Sequence, residues 1–454
     1  MLTTIFAFVA VLGVLIFFHE LGHFLVAMWM GVGVEKFSLG FGPRLFGKKI
    51  GVTDYRISAI PLGGYVKMVG EEPDAEIEPA DIPLSFTHKH VFKRILIVAA
   101  GPLFNLLLAV LIYFCFFQIF GITLLKPFIR NIHKDSIAQS AGFKKGDLIT
   151  GINDSLIKSW NDINKIVEES NGQDLTISVL RGENTFTVNI RPELKTAYDI
   201  FGDEIKRYDI GVYGISVLKP LVGQVKDGSP AYEGGLKKGD LITAINGNPV
   251  ETWNEMAQFV NDSNGETLSV SVNRGETVVA LSIKPEIVSR TDEISGEKAK
   301  LYMIGISASS PVIAGDMFTK RLNPIQAFWE SVSQTYEITK LTFIVIGKLF
   351  QGDVSTKTLG GPIMIAQMAG EQAREGIDRL ISFIALISIN LAILNFLPIP
   401  VLDGGHIFFF VIEAAIGRPV NVRVREIAQQ GGIAVLLLLM IFVFYNDIIR
   451  IFSN

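Results

Sequence analysis

Apolar residues crowd into four stretches of the chain, residues 2–30, 95–120, 380–397 and 432–444 with its flanks. A bilayer span takes roughly 20 such residues, so the pattern predicts a polytopic α-helical membrane protein with four transmembrane helices. Between the second and third stretches the periodicity changes. Short alternating runs such as LTISVLRG, from Leu175, and LSVSVNRG, from Leu268, read as strands ending in turns. A further stretch, residues 323–352, carries Phe328, Val332, Tyr336, Phe343, Ile346 and Phe350 at helical spacing. Glu330, Glu337, Lys340 and Lys348 interrupt it too often for a span. It reads as an amphipathic helix on the outer membrane face, with packing inside the exported region as the alternative.

The first apolar stretch is broken in one place. No charge occurs from Leu2 to Phe18; then His19, Glu20 and His23 arrive before Leu25, Val26, Ala27, Met28 and Trp29 resume the pattern. An ionisable group at membrane depth costs at least about 2 kcal/mol, so such groups mark function. The stretch lacks a basic leading segment, and its polar trio sits where a cleavage site would be, so it reads as a retained helix rather than a signal peptide.

The middle of the chain is duplicated. The segment from Ser136, SIAQSAGFKKGDLITGIN and onward, matches the segment from Ser229, SPAYEGGLKKGDLITAIN and onward, without a gap. Two tandem domains of ordinary size account for that offset better than a solenoid. The paired AGFKKGDLITGIN and GGLKKGDLITAIN motifs resemble PDZ domains of the bacterial protease type. That resemblance implies α+β domains that bind an extended peptide or a chain end by strand addition. A pair of inert spacers is the alternative.

Charge then orients the spans. Lys36, Arg44, Lys48, Lys49, Arg56, Lys67, Lys89, Lys93 and Arg94 lie between the first and second; Arg418, Arg423 and Arg425 lie between the third and fourth. Both connections therefore face the cytoplasm and the repeat lies outside. Glu71, Glu72, Asp74, Glu76 and Glu78 dilute the first loop, but acids weigh little in this rule. A net charge of −4 points to no nucleic-acid partner, and 49% hydrophobic residues with a mean hydropathy of +0.39 exclude an ordinary soluble chain. Cys115 is the lone cysteine, so no intrachain disulfide can form.

His19 and His23 are four apart, one helical turn on one face, a spacing that lets two imidazoles hold one Zn²⁺. Glu20, one step round the helix, can serve a metal-bound water as general base. Catalytic zinc usually has a third protein ligand. NFLPIPVLDGGHIFFF, residues 395–410, offers Asp403 and, as a competitor, His406 in a Pro/Gly-broken stretch flanked by hydrocarbon. Asn395 and Asn390 are hydrogen-bonding candidates near it. In the first loop, residues 54–70 alternate in a strand-like way, with Ile57 and Ala59 before, and Tyr65, Lys67 and Val69 after, a PLGG turn that contains Gly63 and Gly64. An edge strand here could pair with an unwound substrate.

HELGH in a first transmembrane helix, GPLFN in the second and NFLPIPVLDGGH near the third together resemble the site-2 family of intramembrane zinc metalloproteases. The resemblance runs the full length. It implies zinc ligands His19, His23 and Asp403 and a catalytic glutamate, Glu20. Its second- and third-helix asparagines correspond to Asn105 and Asn395, which with Ile57, Ala59, Gly63 and Gly64 are candidates for substrate binding or transition-state support. It also implies a membrane-dipping β hairpin in the first loop. The implied substrates are single-pass membrane proteins already trimmed outside, such as an anti-sigma factor, and remnant signal peptides, with PDZ-like domains as filters. The expected organisation is residues 1–120 for helices one and two with the hairpin, 121–217 and 218–310 for the PDZ-like pair, 311–375 for the amphipathic segment and 376–454 for helices three and four. The expected location is the inner membrane, with the PDZ-like pair periplasmic and the catalytic site near the cytoplasmic side. A transporter would need a pathway across the bilayer and often inverted repeats, which the four spans lack; a tethered scaffold leaves Glu20 and Asp403 without purpose.

Overall fold

The computed structural model describes residues 2–71, 77–133, 136–198, 204–214, 219–226, 228–250, 252–275, 277–291, 298–308, 316–352 and 359–453. Glu72, Asp74 and Glu76, and the expected boundaries at 217/218 and 310/311, lie outside the described residues. The chain divides into two compact units, Met1–Gly121 with Arg321–Asn454, and Ile122–Lys320.

The first unit opens with α1 (Leu2–Trp29), apolar around its whole circumference, as a helix immersed in hydrocarbon must be. Leu2, Phe6, Val9 and Met28 remain exposed on it, while Val11, Leu15, Ala27, Glu20 and His23 are buried and His19 is half-buried. Its 28 residues span about 42 Å at about 1.5 Å each, more than a hydrocarbon core needs.

Next come β1 (Val34–Ile50) and β2 (Thr53–Met68), two long strands folded back on each other so that one stretch has neighbours on both sides. Leu39 lies opposite Gly64 on one side and Ile57 on the other, and Ile57 in turn lies opposite Phe46. Residues 36–39 and 54–57 are therefore interior to the sheet; residues 64–68 and 44–50 form its edges. A buried Ser38–Ser58 hydroxyl pair at 2.9 Å ties the two strands. α2 (Val91–Phe120) follows.

The second unit contains the duplication as structure. One sheet runs Ser155–Leu156, Leu148–Ile152, Leu175–Arg181, Asn184–Ile190; the other runs Asn248–Pro249, Leu241–Ile245, Leu268–Arg274, Thr277–Ile283. Registers agree: Leu175 pairs with Ile190 and Leu268 with Ile283. Alternation decides the faces. Leu175, Ile177 and Val179 in one copy, and Leu268, Val270 and Val272 in the other, point into separate cores. In the first copy α3 (Ile137–Ser140) and α4 (Trp160–Glu169) complete the layer; in the second, α5 (Pro230–Glu233) and α6 (Trp253–Asp262) do so. Ser159 with Asp162, and Thr252 with Glu255, form capping boxes that start the helices at the two tryptophans.

Each copy also buries an aspartate. Asp147 takes both Arg181 donors at 2.7 and 2.8 Å and the Lys144 N–H at 2.8 Å. Asp240 repeats this with Arg274 at 2.8 and 2.7 Å and the Lys237 N–H at 2.8 Å. Burial pushes each carboxyl up, but these charge-assisted bonds more than offset it and hold both below the ordinary value of 3.8.

The chain then returns to the first unit through α7 (Pro324–Gln351), which packs along α2 and α9 (Ile377–Phe396). α8 (Pro362–Glu375) packs against α1 and α9. Its first amides donate to the buried Asp447 carboxylate of α11 (Val422–Ser453): Gly361 N at 3.0 Å, Ile363 N at 3.0 Å and Met364 N at 3.2 Å. Between α9 and α11 lies α10 (Asp403–Ile416), a helix that begins inside the Pro/Gly-broken stretch. Among the described residues α1, α2, α9 and α11 are long and apolar enough to cross a membrane. Arg94 of α2 and Glu413 of α10 form a short, largely buried ion pair, with the Arg94 guanidinium over the Phe410 ring.

Candidate active site

Helical geometry places His19 and His23 a turn apart on the inner face of α1, their rings meeting edge to face at 4.8 Å. The third group comes from the far end of the chain. Pro398 and Pro400 end α9, and Val401, a β-branched residue held at φ 156°, carries a local backbone strain of about 1–3 kcal/mol. The chain then turns into α10, whose first residue is Asp403.

His19 Nε2 lies 3.2 Å from Asp403 Oδ2, His23 Nε2 lies 3.5 Å from Asp403 Oδ1, and the two Nε2 atoms are 3.3 Å apart. A tetrahedral ion with bonds of about 2.0–2.1 Å spaces its donors about 3.3 Å apart, so the donor set fits zinc in type and spacing. The His23 lone pair is aimed correctly too. His23 Nδ1 donates to the Ile97 carbonyl at 2.9 Å, which fixes the proton there and leaves Nε2 bare. Glu20 is buried beside this cluster. Its neighbour is the sheet edge: a Cβ added at Gly64 would sit 2.9 Å from Glu20 Cγ, so only glycine lets that backbone come so close.

The model of peptidase family M50 matches residues 7–439. The chain belongs to peptidase family M50. A Neisseria meningitidis protein described as a zinc metalloprotease is 36% identical, covering 99% of each chain. Regulator of sigma-E proteases from Salmonella typhimurium and Escherichia coli K12 are each 34% identical, covering 98% of both chains. Among solved structures, the PDZ domain of an SdrC-like protein from Listeria monocytogenes is 26% identical, covering 21% of this chain and 90% of that one, with a TM-score of 0.17. This M50 peptidase is thus a membrane-embedded metalloendopeptidase.

The M50 cluster opens into a cavity of about 260 Å³. His19, Glu20, His23 and Asp403 line it with Gly64, Tyr65, Val66 and Met68 of the sheet edge. Three further groups there, Glu71, His406 and Arg425, add charge or hydrogen bonding. In the sequence Glu71 and Arg425 each stand in a run of charged residues, which conceals their place in the cavity.

Asn105 is fully buried, with its amide 3.4 Å from His19 Nδ1. Ile97, Gly101 and Asn105 are four apart on α2, a spacing that turns one face towards α1. At Gly101 a Cβ would lie 2.3 Å from His23 Nε2, so a side chain there would displace the imidazole. The Ile97 carbonyl carried no sequence signal, since a backbone acceptor has none.

Other expected positions fall elsewhere. Asn395 is half-buried in the last turn of α9 and is not among the residues lining the cavity. Asn390 accepts from Thr342 of α7 at 3.1 Å instead of serving the site. Ile57 and Ala59 are exposed and do not line the cavity, and Ile57 has strand neighbours on both sides, so within residues 54–70 the edge does not lie at these two positions. The edge beside Glu20 is residues 64–68. Gly63 turns the chain at φ 118° against the Phe41 ring, one residue short of the cavity lining.

Proposed function

We propose that this M50 peptidase hydrolyses a peptide bond within the transmembrane segment of single-pass membrane proteins. His19, His23 and Asp403 would hold Zn²⁺, and Glu20 would move the proton. The observation that carries the reading is the convergence of two imidazole Nε2 atoms, 3.3 Å apart, on the Asp403 carboxylate, one oxygen facing each ring at 3.2 and 3.5 Å, with the buried Glu20 carboxylate one residue along α1.

Zinc bound there supplies Lewis acidity, which lowers the pKa of water towards about 7 and polarises a carbonyl. The protein's own groups do the rest. Glu20 takes the proton of the attacking water and passes it to the leaving amine. Residues 64–68 form an outer strand of the sheet beside Glu20, so an unwound substrate strand can add to this edge by main-chain hydrogen bonds, its scissile bond against the metal ligands. A transmembrane helix keeps its own hydrogen bonds until such partners replace them, which makes this edge the unwinding surface.

The basic connections around the sheet and after α10 support a reading in which the catalytic cluster lies near the cytoplasmic side of the inner membrane and the duplicated unit in the periplasm. In this reading residues 121–217 and 218–310 are tandem PDZ-like filters that read a trimmed end or exclude uncut proteins. Residues 311–375 link them to the membrane core through α7 and α8. Relatives named for regulation of sigma-E favour an anti-sigma factor, already cut outside, as substrate; remnant signal peptides share the required chemistry.

The test is zinc content and cleavage of a tagged single-pass substrate by purified protein, wild type beside Glu20→Gln. The variant is expected to fold and hold zinc but cut at less than about 1% of the wild-type rate, within the range for losing a general base. Robust cleavage by Glu20→Gln removes Glu20 from the mechanism.

A further inference from the structure

His23 and His19 stand alike towards Asp403, but they are anchored from behind by different groups. For His23 the anchor is the Ile97 carbonyl, an acceptor, so its Nδ1 is protonated and its Nε2 lone pair is free. His19 must present Nε2 in the same state, because that atom lies 3.2 Å from Asp403 Oδ2 and 3.3 Å from His23 Nε2. The His19 Nδ1–H then needs an acceptor of its own.

The group behind His19 is the Asn105 amide. Its Nδ2 faces His19 Nδ1 at 3.4 Å, and its buried Oδ1 has no hydrogen-bond partner. If Nδ2 donates, Nδ1 is bare, the proton sits on Nε2, and His19 cannot ligate through that atom. A half-turn about Cβ–Cγ exchanges the amide oxygen and nitrogen without moving any other atom. The Nδ1–H then donates to Oδ1, and Nε2 is free. Hydrogen-bond counting does not choose between the orientations, since one amide atom is orphaned either way. A cation at Nε2 does choose.

We propose that Asn105 is a positioning residue which, with its amide oxygen towards His19, holds that imidazole in the metal-binding tautomer; this rests on the reading of His19, His23 and Asp403 as ligands. The surroundings suit that task. Asn105 is buried, and its backbone carbonyl accepts from Ser388 Oγ of α9 at 2.7 Å, which fixes where the amide starts. Gly101, one turn earlier on α2, keeps the space between the amide and both rings clear: a Cβ there would meet His19 Cε1 at 2.8 Å. Ile97 and Asn105 thus act as a matched pair of acceptors on one face of α2, two turns apart, one for each histidine. Outer partners of this kind typically set metal affinity by 10–100-fold.

The experiment measures zinc affinity of the purified full chain by chelator competition, for wild type, Asn105→Asp and Asn105→Leu. A carboxylate accepts from Nδ1–H whichever way it turns, so Asn105→Asp should bind zinc within about threefold of wild type or more tightly. Asn105→Leu should bind about 10–100-fold more weakly. Loss in both variants, or unchanged affinity in Asn105→Leu, overturns the proposal. A second readout does not depend on variants folding: ¹⁵N-histidine spectra of the zinc-loaded wild type should show two rings ligated through Nε2 with protonated Nδ1. One ring ligated through Nδ1 overturns it equally. Wild-type protein that takes up no zinc would instead refute the ligand reading on which the proposal stands.

Discussion

Gly64 and Glu20 touch across the boundary between the sheet and the first membrane helix. A Cβ at Gly64 would sit 2.9 Å from Glu20 Cγ and 2.8 Å from Ile16 Cγ2. The edge that would receive a substrate strand and the carboxylate that would move its proton are therefore held at one distance by the absence of a side chain. Gly64→Val should push strand and carboxylate apart. Misplacement by about 1 Å can cost about 100-fold in rate, so cleavage should fall by about that factor while zinc content stays at the wild-type level. Loss of zinc together with activity would show instead that the strand supports the ligands.

Asp403 and His406 both line the cavity, but only Asp403 points an oxygen at each imidazole. Asp403→Asn should lose most bound zinc and all measurable cleavage. His406→Ala should keep its zinc. Metal analysis of the two purified variants decides between them, and zinc retained by Asp403→Asn would return His406 to consideration.

Arg94 and Glu413 join the start of α2 to the helix that Asp403 begins. Breaking a buried pair from one side leaves an uncompensated charge and costs about 3–5 kcal/mol, whereas replacing both partners by apolar groups is often close to neutral. Glu413→Gln should therefore lower thermal stability in detergent more than the double substitution Arg94→Leu with Glu413→Leu. Equal loss in both would mean that packing, not charge, holds α10.

The duplicated unit should weaken in acid. Asp147 and Asp240 both have carboxyls held below their ordinary 3.8 in the folded state. A depressed carboxyl contributes stability that is complete above the unfolded value and fades as pH falls through the folded value. Denaturant midpoints of the second unit within the full chain should be flat above about pH 5 and drop below about pH 4. In Asp147→Asn with Asp240→Asn the whole curve should be lower and its acid drop smaller. An unchanged drop would assign it to other carboxylates.

The spans were legible because hydrocarbon length is a strong local signal, and the duplication because identity at a fixed offset needs no structure. His19, Glu20 and His23 were legible for a related reason: residues four apart on a helix share a face whatever surrounds them. The sheet was not. The PLGG turn and the alternation around it were visible, but alternation says which way side chains point, not which segments pair. Because β1 bends back on β2, residues 54–57 are interior and the outer strand beside Glu20 is 64–68. α10 was hidden by its own start, since prolines and glycines at 398–405 read as a break and gave no sign that a 14-residue helix follows. Asn390 and Asn395 share a short stretch with the metal loop, yet sequence proximity did not fix the side of α9 from which each projects. Asn390 turns to α7.

The most direct measurement is zinc K-edge X-ray absorption on the purified full chain, wild type beside Asp403→Ala. One zinc per chain is expected in the wild type, with two imidazole nitrogens and oxygen donors at about 2.0–2.2 Å. Asp403→Ala should lose the ion or show an altered first shell. Wild-type zinc whose spectrum is unchanged by Asp403→Ala would contradict a site built jointly by α1 and α10.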